Sequence, residues 1–318
     1  MTSSSTPAFA QTIRQPVVAL ITAFAVTSLV TYSVWHFTSS RDEAEARVGF
    51  EARAQEINVA VRARMRDYEQ ALLSMSTVFA SGAPLTQARW IQQFERLRLE
   101  RNFPGFQGIG YAPWVTLEVK LRHEAELRAN EYSDYAVRPE GERPGYAPVI
   151  FLTPASERHR RAIGFDPYHE PSRRITMDAA RDKGSAAITG KTVLSQEQKA
   201  GAQPGFVMYM PVYRHDAMIA TTEQRRSALQ GYVFSTFRMH DLINGMFPHK
   251  RDLRIEISDG KNPGNDSLMY DRPHPRRVTQ PCRDSPQPSP SRFMAGTGSC
   301  VSARCPSSKT RSGKRARV

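Results

Sequence analysis

Residues Val17 to Phe37, VVALITAFAVTSLVTYSVWHF, run for 21 positions without a formal charge, with Arg14 and Arg41 on either side. A helix of this length extends about 31 Å at 1.5 Å per residue, against roughly 30 Å of bilayer hydrocarbon. Tyr32 and Trp35 lie near one end, where amphipathic rings favour the interface. A cleaved signal peptide would have a shorter apolar core, about 7–15 residues, followed by a small-x-small cleavage site. No such site follows Phe37, where the chain reads TSSRDEAEA. The run therefore predicts a retained transmembrane helix over residues 17–37, with residues 1–16 as a short cytoplasmic N-terminus. Charge does not orient it. Arg14 precedes the span, Arg41, Arg47 and Arg53 follow it, and positive-inside weakens for long translocated domains.

Beyond the span the pattern is helical. Over residues 40–80 a polar stalk carries Val61, Met65, Tyr68, Leu72, Met75 and Phe79 at spacings 4-3-4-3-4. That seam fits either self-association as a coiled coil, giving a homodimer, or a helix packed on its own domain. SGAP, from Ser81, ends it. A second helix over Thr86–Arg101 aligns Trp90, Phe94 and Leu97. Short β-type runs then dominate: Gln107–Tyr111, Tyr146–Thr153, Thr189–Leu194, Phe206–Tyr213, Gly231–Phe237, Leu253–Ile257 and Ser267–Tyr270. Helices over Leu117–Asn130, Pro171–Lys183 and Met239–Met246 interrupt them, with Pro171 at a first helical position and Gly184 at a cap. Strand pairs with segregated helices indicate an α+β fold with mainly antiparallel sheets.

The net charge of +13 first suggests a nucleic-acid partner. Its location removes that suggestion. Residues 272–318 carry eleven Lys/Arg and one Asp, leaving little excess for the rest of the chain. The same stretch holds seven Pro and all three cysteines, Cys282, Cys300 and Cys305. Lacking apolar periodicity, this basic Pro/Ser-rich tail is expected to be disordered. Its abrupt onset after LMYD has the look of a shifted reading frame. Its cysteine spacing fits no zinc pattern.

Catalytic signatures are absent. Gly105-x-x-Gly108-x-Gly110 has the wrong order for a dinucleotide loop and meets Pro113 where a helix should begin, so tight packing at a strand is its simpler reading. The eight histidines are scattered, with no H-E-x-x-H and no G-x-S-x-G elbow. No cofactor and no metal are expected. Asp166, His169 and Glu170 in FDPYHEP could form an acid/base cluster, but beside Pro171 they more simply complement a helix N-terminus. Arg173 and Arg174 in the first turn of the 171–183 helix are unfavourably placed. They call for a partner, either an internal carboxylate or an acidic ligand.

The block YAPVIFLTPASERHRRAIGFDPYHEPSRRITMDAARDKGSAAITGKTVLSQ, then GFVMYMPVYR, then GYVFSTFRMHDLI, resembles the CHASE family, and FPGFQGIGYAPWV before it also fits. These are extracytoplasmic sensor domains of receptor histidine kinases and diguanylate cyclases, plant cytokinin receptors among them. The resemblance covers residues 57–271. It implies a helical stalk, two PAS-like α/β subdomains, a small ligand bound in the membrane-distal one, and a bacterial inner-membrane protein with a periplasmic sensor. It also implies a second span and an output module after the domain. Neither is visible, so the chain reads as a sensor truncated after the domain, or a nonproductive fragment, and not as an enzyme. An extracytoplasmic enzyme on a similar sheet is the remaining alternative.

The family's binding walls match the strands at 146–153, 189–194, 206–213 and 231–237. Phe151, Thr153, Leu194, Met208, Tyr209 and Ser235 are thereby expected to line the pocket, although alternation leaves each inward or outward until the register is known. In cytokinin receptors an Asp after the first of these strands and a Thr in the third hold the adenine. Those places fall here near Pro154 and at Tyr209, which do not repeat the hydrogen bonding, so a cytokinin is not the expected ligand.

Overall fold

The computed structural model describes residues 9–79, 85–99, 103, 105–193, 203–248, 254–260, 267–272, 291–294 and 300–304. The chain divides into two compact units, Met1–Ile57 and Asn58–Val318.

The described residues of the first unit belong to α1, Phe9–Ser76, which covers the expected span and most of the expected stalk. The window Leu20–Phe37 is long and apolar enough to cross a membrane and is wholly exposed. Thr27 donates its hydroxyl to the Ala23 carbonyl at 2.9 Å, so this polar group is satisfied within the helix.

The second unit holds the rest of α1, a 3₁₀ turn at Thr77–Phe79, and α2, Gln87–Leu97. Thr86 caps α2, accepting from Arg89 N at 3.3 Å. The strands that follow are β1 (Phe106–Pro113), β2 (Val115–Thr116), β3 (Gly145–Tyr146), β4 (Phe151–Thr153), β5 (Ala187–Ile188), β6 (Thr192–Val193), β7 (Pro204–Tyr213), β8 (Leu229–Arg238), β9 (Arg254–Ser258) and β10 (Leu268–Asp271). The remaining helices are α3 (Lys120–Asn130), α4 (Glu157–Arg160), α5 (Pro171–Lys183), α6 (Thr222–Ala228) and α7 (Met239–Met246). Gly184 closes α5 at φ 72°, a left-handed cap that glycine occupies without Cβ strain.

The main sheet has the order β4-β1-β8-β7-β5, with β6 also paired to β7. All its pairs are antiparallel. A second sheet has the order β10-β9-β12-β11, where β11 is Ser291–Met294 and β12 is Cys300–Arg304. These last two strands fall in the stretch expected to be unstructured. Backbone ladders need no apolar side chain, and the free edge of β9 offers one.

The register separates two faces of the main sheet. Thr153, Ile109, Ser235, Met208 and Ile188 lie in one cross-strand row, and Leu152, Gly110, Phe234, Tyr209 and Ala187 in the next. Adjacent rows point to opposite sides.

The first row belongs to a helix face covered by α1 and α2. Tyr68 packs on Phe237 with ring centroids 4.5 Å apart, Phe79 on Tyr111 at 4.4 Å, and Trp90 on Phe151 at 5.9 Å. Val61, Tyr68, Leu72, Met75 and Phe79 are all buried. The heptad seam is thus spent on the chain's own sheet. Of the two partners the seam could take, a second chain or its own domain, it lies here on its own domain: a flat apolar face takes the same helical stripe as a partner helix would.

The expected strand over Tyr146–Thr153 is interrupted. Pro148 has no N–H to donate to a ladder. Val149 instead donates to the Phe165 carbonyl and accepts from Gly164 N, at 2.9 and 2.8 Å. The segment from Ala147 to Val149 thereby turns from the sheet toward the 164–166 loop, and Ile150 rejoins the sheet by donating its N–H to the Tyr111 carbonyl at 3.0 Å.

Candidate functional site

The second row belongs to a cover face, roofed by the 146–168 segment and α5. Its core comprises Ala112, Leu152, Val207, Tyr209, Tyr232 and Phe234 of the sheet, packed against Val149, Met177 and Ala180. Along β1 this face presents Gly108, Gly110 and Ala112. Neighbours fill the room their small side chains leave. A Cβ on Gly110 would lie 2.5 Å from Phe234 Cζ, and one on Gly108 would lie 3.0 Å from His159 Cε1.

Polar groups are built into this apolar floor. Arg173 is buried, its Nε 2.6 Å from Glu170 Oε2 and its guanidinium 5.7 Å from the centre of the Phe165 ring. It also lies against Tyr209. Burial pushes the Tyr209 hydroxyl pKa up, and the nearby Arg173 charge opposes that rise. The awkward cation in the first turn of α5 therefore has an internal carboxylate as its partner.

Asp166 is fully buried and accepts from Ala147 N, Tyr168 N and Arg143 Nη2, each at 3.0 Å. It is a structural hub and the cap of the turn that follows. His169 is exposed and Glu170 serves Arg173, so FDPYHEP does not gather an acid/base pair. At the far end of α5, Tyr168 donates to Asp178 at 3.0 Å, and Arg181 pairs with both Asp178 and Asp182 at 2.9 and 2.8 Å. Arg226 grips Asp182 with two nitrogens, at 2.6 and 3.0 Å, and that hydrogen bonding holds the carboxyl well below the usual carboxylate range.

Arg143 Nε is buried on this face without a hydrogen-bond partner among the described residues, and two hydroxyls share that condition. Tyr232 OH and Thr236 Oγ1 are buried, and neither has a protein hydrogen-bond partner among the described residues. Buried polar groups are almost always paired, so each such exception asks for an explanation. The helix face differs. Thr153 there accepts from Trp90 Nε1 at 3.0 Å, and Ser235 donates to the Gly108 carbonyl at 3.0 Å. The sheet residues around them, Ile109, Phe151, Met208, Val233 and Phe237, are buried and apolar.

The six residues expected to line a pocket divide accordingly. Phe151, Thr153, Met208 and Ser235 share the helix face. Tyr209 lies on the cover face, and Leu194 lies outside the described residues. The sheet stands between Tyr209 and the other four, so they cannot line one pocket together. Tyr232, Thr236 and Arg173 were not among the expected residues. Their signal was present: Tyr232, Phe234 and Thr236 alternate along β8 in step with Gly108, Gly110 and Ala112 along β1.

The CHASE domain family profile matches residues 84–270, more than half of the chain. The chain belongs to the CHASE domain family. Both faces of the CHASE domain's main sheet, and all of α5, fall within the matched stretch. No curated protein matches the chain. Among solved structures, an extracellular ligand binding receptor from Desulfohalobium retbaense is similar at 11% identity and TM-score 0.45, over 79% of this chain and 38% of that one. This chain thus spans well under half of that receptor's length. The ligand-binding domain of the Pseudomonas aeruginosa amino acid chemoreceptor PctC, in complex with GABA, is similar at 12% identity and TM-score 0.39, over 76% of this chain and 91% of that one.

Proposed function

We propose that the chain is a membrane-anchored receptor. Residues 17–37 hold it in a bacterial inner membrane, and its CHASE domain binds a small molecule in the periplasm. The ligand lies on the cover face of the main sheet, under α5 and the 146–168 segment, with Tyr209 as part of its wall. The observation that carries this reading is the contrast between the faces. The helix face is packed with rings and its hydroxyls are paired. The cover face holds a buried Arg173 beside Tyr209 and two hydroxyls with spare capacity. Ligand sites are mostly apolar with a few placed polar groups. Binding reports across the membrane by favouring one of two arrangements of the domain. A ligand can shift that equilibrium only by its differential affinity, typically about 1–3 kcal/mol.

Site-directed labelling tests the side of the membrane. Cys282, Cys300 and Cys305 are replaced by Ser, which removes every native cysteine. Leu121, 76% exposed on α3, becomes the single reporter as Leu121→Cys. A maleimide that enters the periplasm but not the cytoplasm should label intact cells. Labelling only after lysis would overturn the receptor reading.

A further inference from the structure

Helix α5 runs into β5 with little slack. Gly184 caps the helix, donating its N–H to the Ala180 carbonyl at 2.9 Å, and only Ser185 and Ala186 separate it from β5. The chain then stays on β7 through Thr189, which is 4% exposed. Its N–H donates to the Val207 carbonyl at 2.9 Å, and its Oγ1 accepts from Val207 N at 3.0 Å. The next two residues meet a different partner. Lys191 donates its N–H to Asp259 Oδ2 at 2.7 Å. Gly190 lies so close to the same carboxylate that a Cβ there would stand 2.4 Å from that oxygen. A larger residue would have to push the carboxylate away.

Asp259 directly follows β9, and its own N–H donates to the Ser267 carbonyl at 2.7 Å, just before β10. The carboxylate is therefore fixed to the β9–β10 pair, with which the matched CHASE stretch ends at residue 270. A second anchor holds this pair to α7. Tyr270 OH and Arg272 Nη2 both donate to Asn244 Oδ1, each at 2.8 Å. The Asn244 anchor docks β10 on a helix that follows β8. The Asp259 anchor instead joins the strand pair to the segment into which α5 leads.

We propose that Asp259 is a positioning residue that couples α5 to the last strand pair of the domain. A shift at the C-terminal end of α5 moves the Gly190–Lys191 segment against the carboxylate and displaces β9 and β10, and a shift of the strand pair returns to α5 in equal measure. The use of this coupling in signalling rests on the reading of α5 as the roof of the ligand face; the coupling itself does not.

Hydrogen exchange on the full chain in lipid nanodiscs, with no ligand added, tests the coupling. Asp259→Ala should speed exchange across Met177–Thr189 at least about five-fold, the lower end of typical coupling between sites. Gly190→Ala, which displaces the carboxylate without removing it, should do the same. The two effects should not multiply: once Asp259 is Ala, Gly190→Ala should add less than about two-fold, because residues that share one contact are non-additive. Asn244→Ala removes the other anchor. It should loosen Leu268–Asp271 and leave Met177–Thr189 within about two-fold of the native chain. Faster exchange confined to Leu268–Asp271 in Asp259→Ala would show that the aspartate serves the strand pair alone, and would overturn the proposal. So would acceleration that reaches α2 equally, which is general loss of stability, or effects of Gly190→Ala and Asp259→Ala that multiply. No arm contains a ligand, so a domain that binds its ligand elsewhere would still return the expected results, and failure here leaves the ligand face standing.

Discussion

The indole N–H of Trp90 donates to the hydroxyl of Thr153 at 3.0 Å, joining α2 to the edge strand β4 inside a core that seals both residues. The same indole stacks on Phe151 and tilts over Tyr111. Trp90→Phe should cost about 1–3 kcal/mol, because it leaves a buried hydroxyl without its donor. Thr153→Val in that background should restore part of the loss. Denaturant unfolding of both single variants and the double variant measures the coupling, and simple additivity would show that the bond contributes nothing.

Leu72, 1% exposed, belongs to the heptad seam that α1 lays on the sheet. Leu72→Ala should cost about 2–5 kcal/mol, the usual range for a truncated core leucine. Because the partners of the seam belong to the same chain, the unfolding midpoint should not change over a hundred-fold range of protein concentration. A midpoint that climbs with concentration would return the seam to a coiled-coil dimer.

Asp166 accepts two backbone N–H groups and an Arg143 nitrogen with no exposure of its own. Asp166→Ala should destabilise by about 3–5 kcal/mol, since it strands a mostly buried guanidinium. Asp166→Asn keeps one acceptor oxygen and should cost less. Equal losses would mean that the carboxylate charge is not what holds Arg143.

His123 on α3 shares a 3.0 Å hydrogen bond with Tyr135. Burial lowers its pKa from the ordinary value near 6.5, with Glu124 and Glu126 acting the other way. Just below pH 6.5 the folded chain therefore binds fewer protons here than the unfolded chain. The stabilisation is fully present above about pH 6.5 and is lost as pH falls through the depressed folded value. Stability between pH 7 and pH 5 should drop more for the native chain than for His123→Gln. Parallel profiles would contradict this.

Much of the fold was legible in residues. Pro171–Lys183 and Met239–Met246 form the helices expected of them, because Pro171, Gly184 and the spacing of Met239, Leu242 and Ile243 act locally. Helix α6 was missed for want of an apolar stripe. Its capping box, Thr221 with Gln224, was the available sign. The site was harder to read. Strand β7 is buried on both faces from Gly205 to Val212, so Met208 and Tyr209 show no polar–apolar alternation to tell inside from outside. Only the pairing of Met208 with Ser235 and Tyr209 with Phe234 assigns them. Likewise a 3.5-residue seam does not record whether its partner is a helix or a sheet.

Hydrogen exchange on the full chain in nanodiscs, with and without a small-molecule fraction that raises its unfolding midpoint, tests the ligand face most directly. Bound ligand should slow exchange in Arg173–Ala180 of α5 and leave Gln87–Leu97 of α2 unchanged. Protection centred on α2, with α5 unaffected, would contradict it.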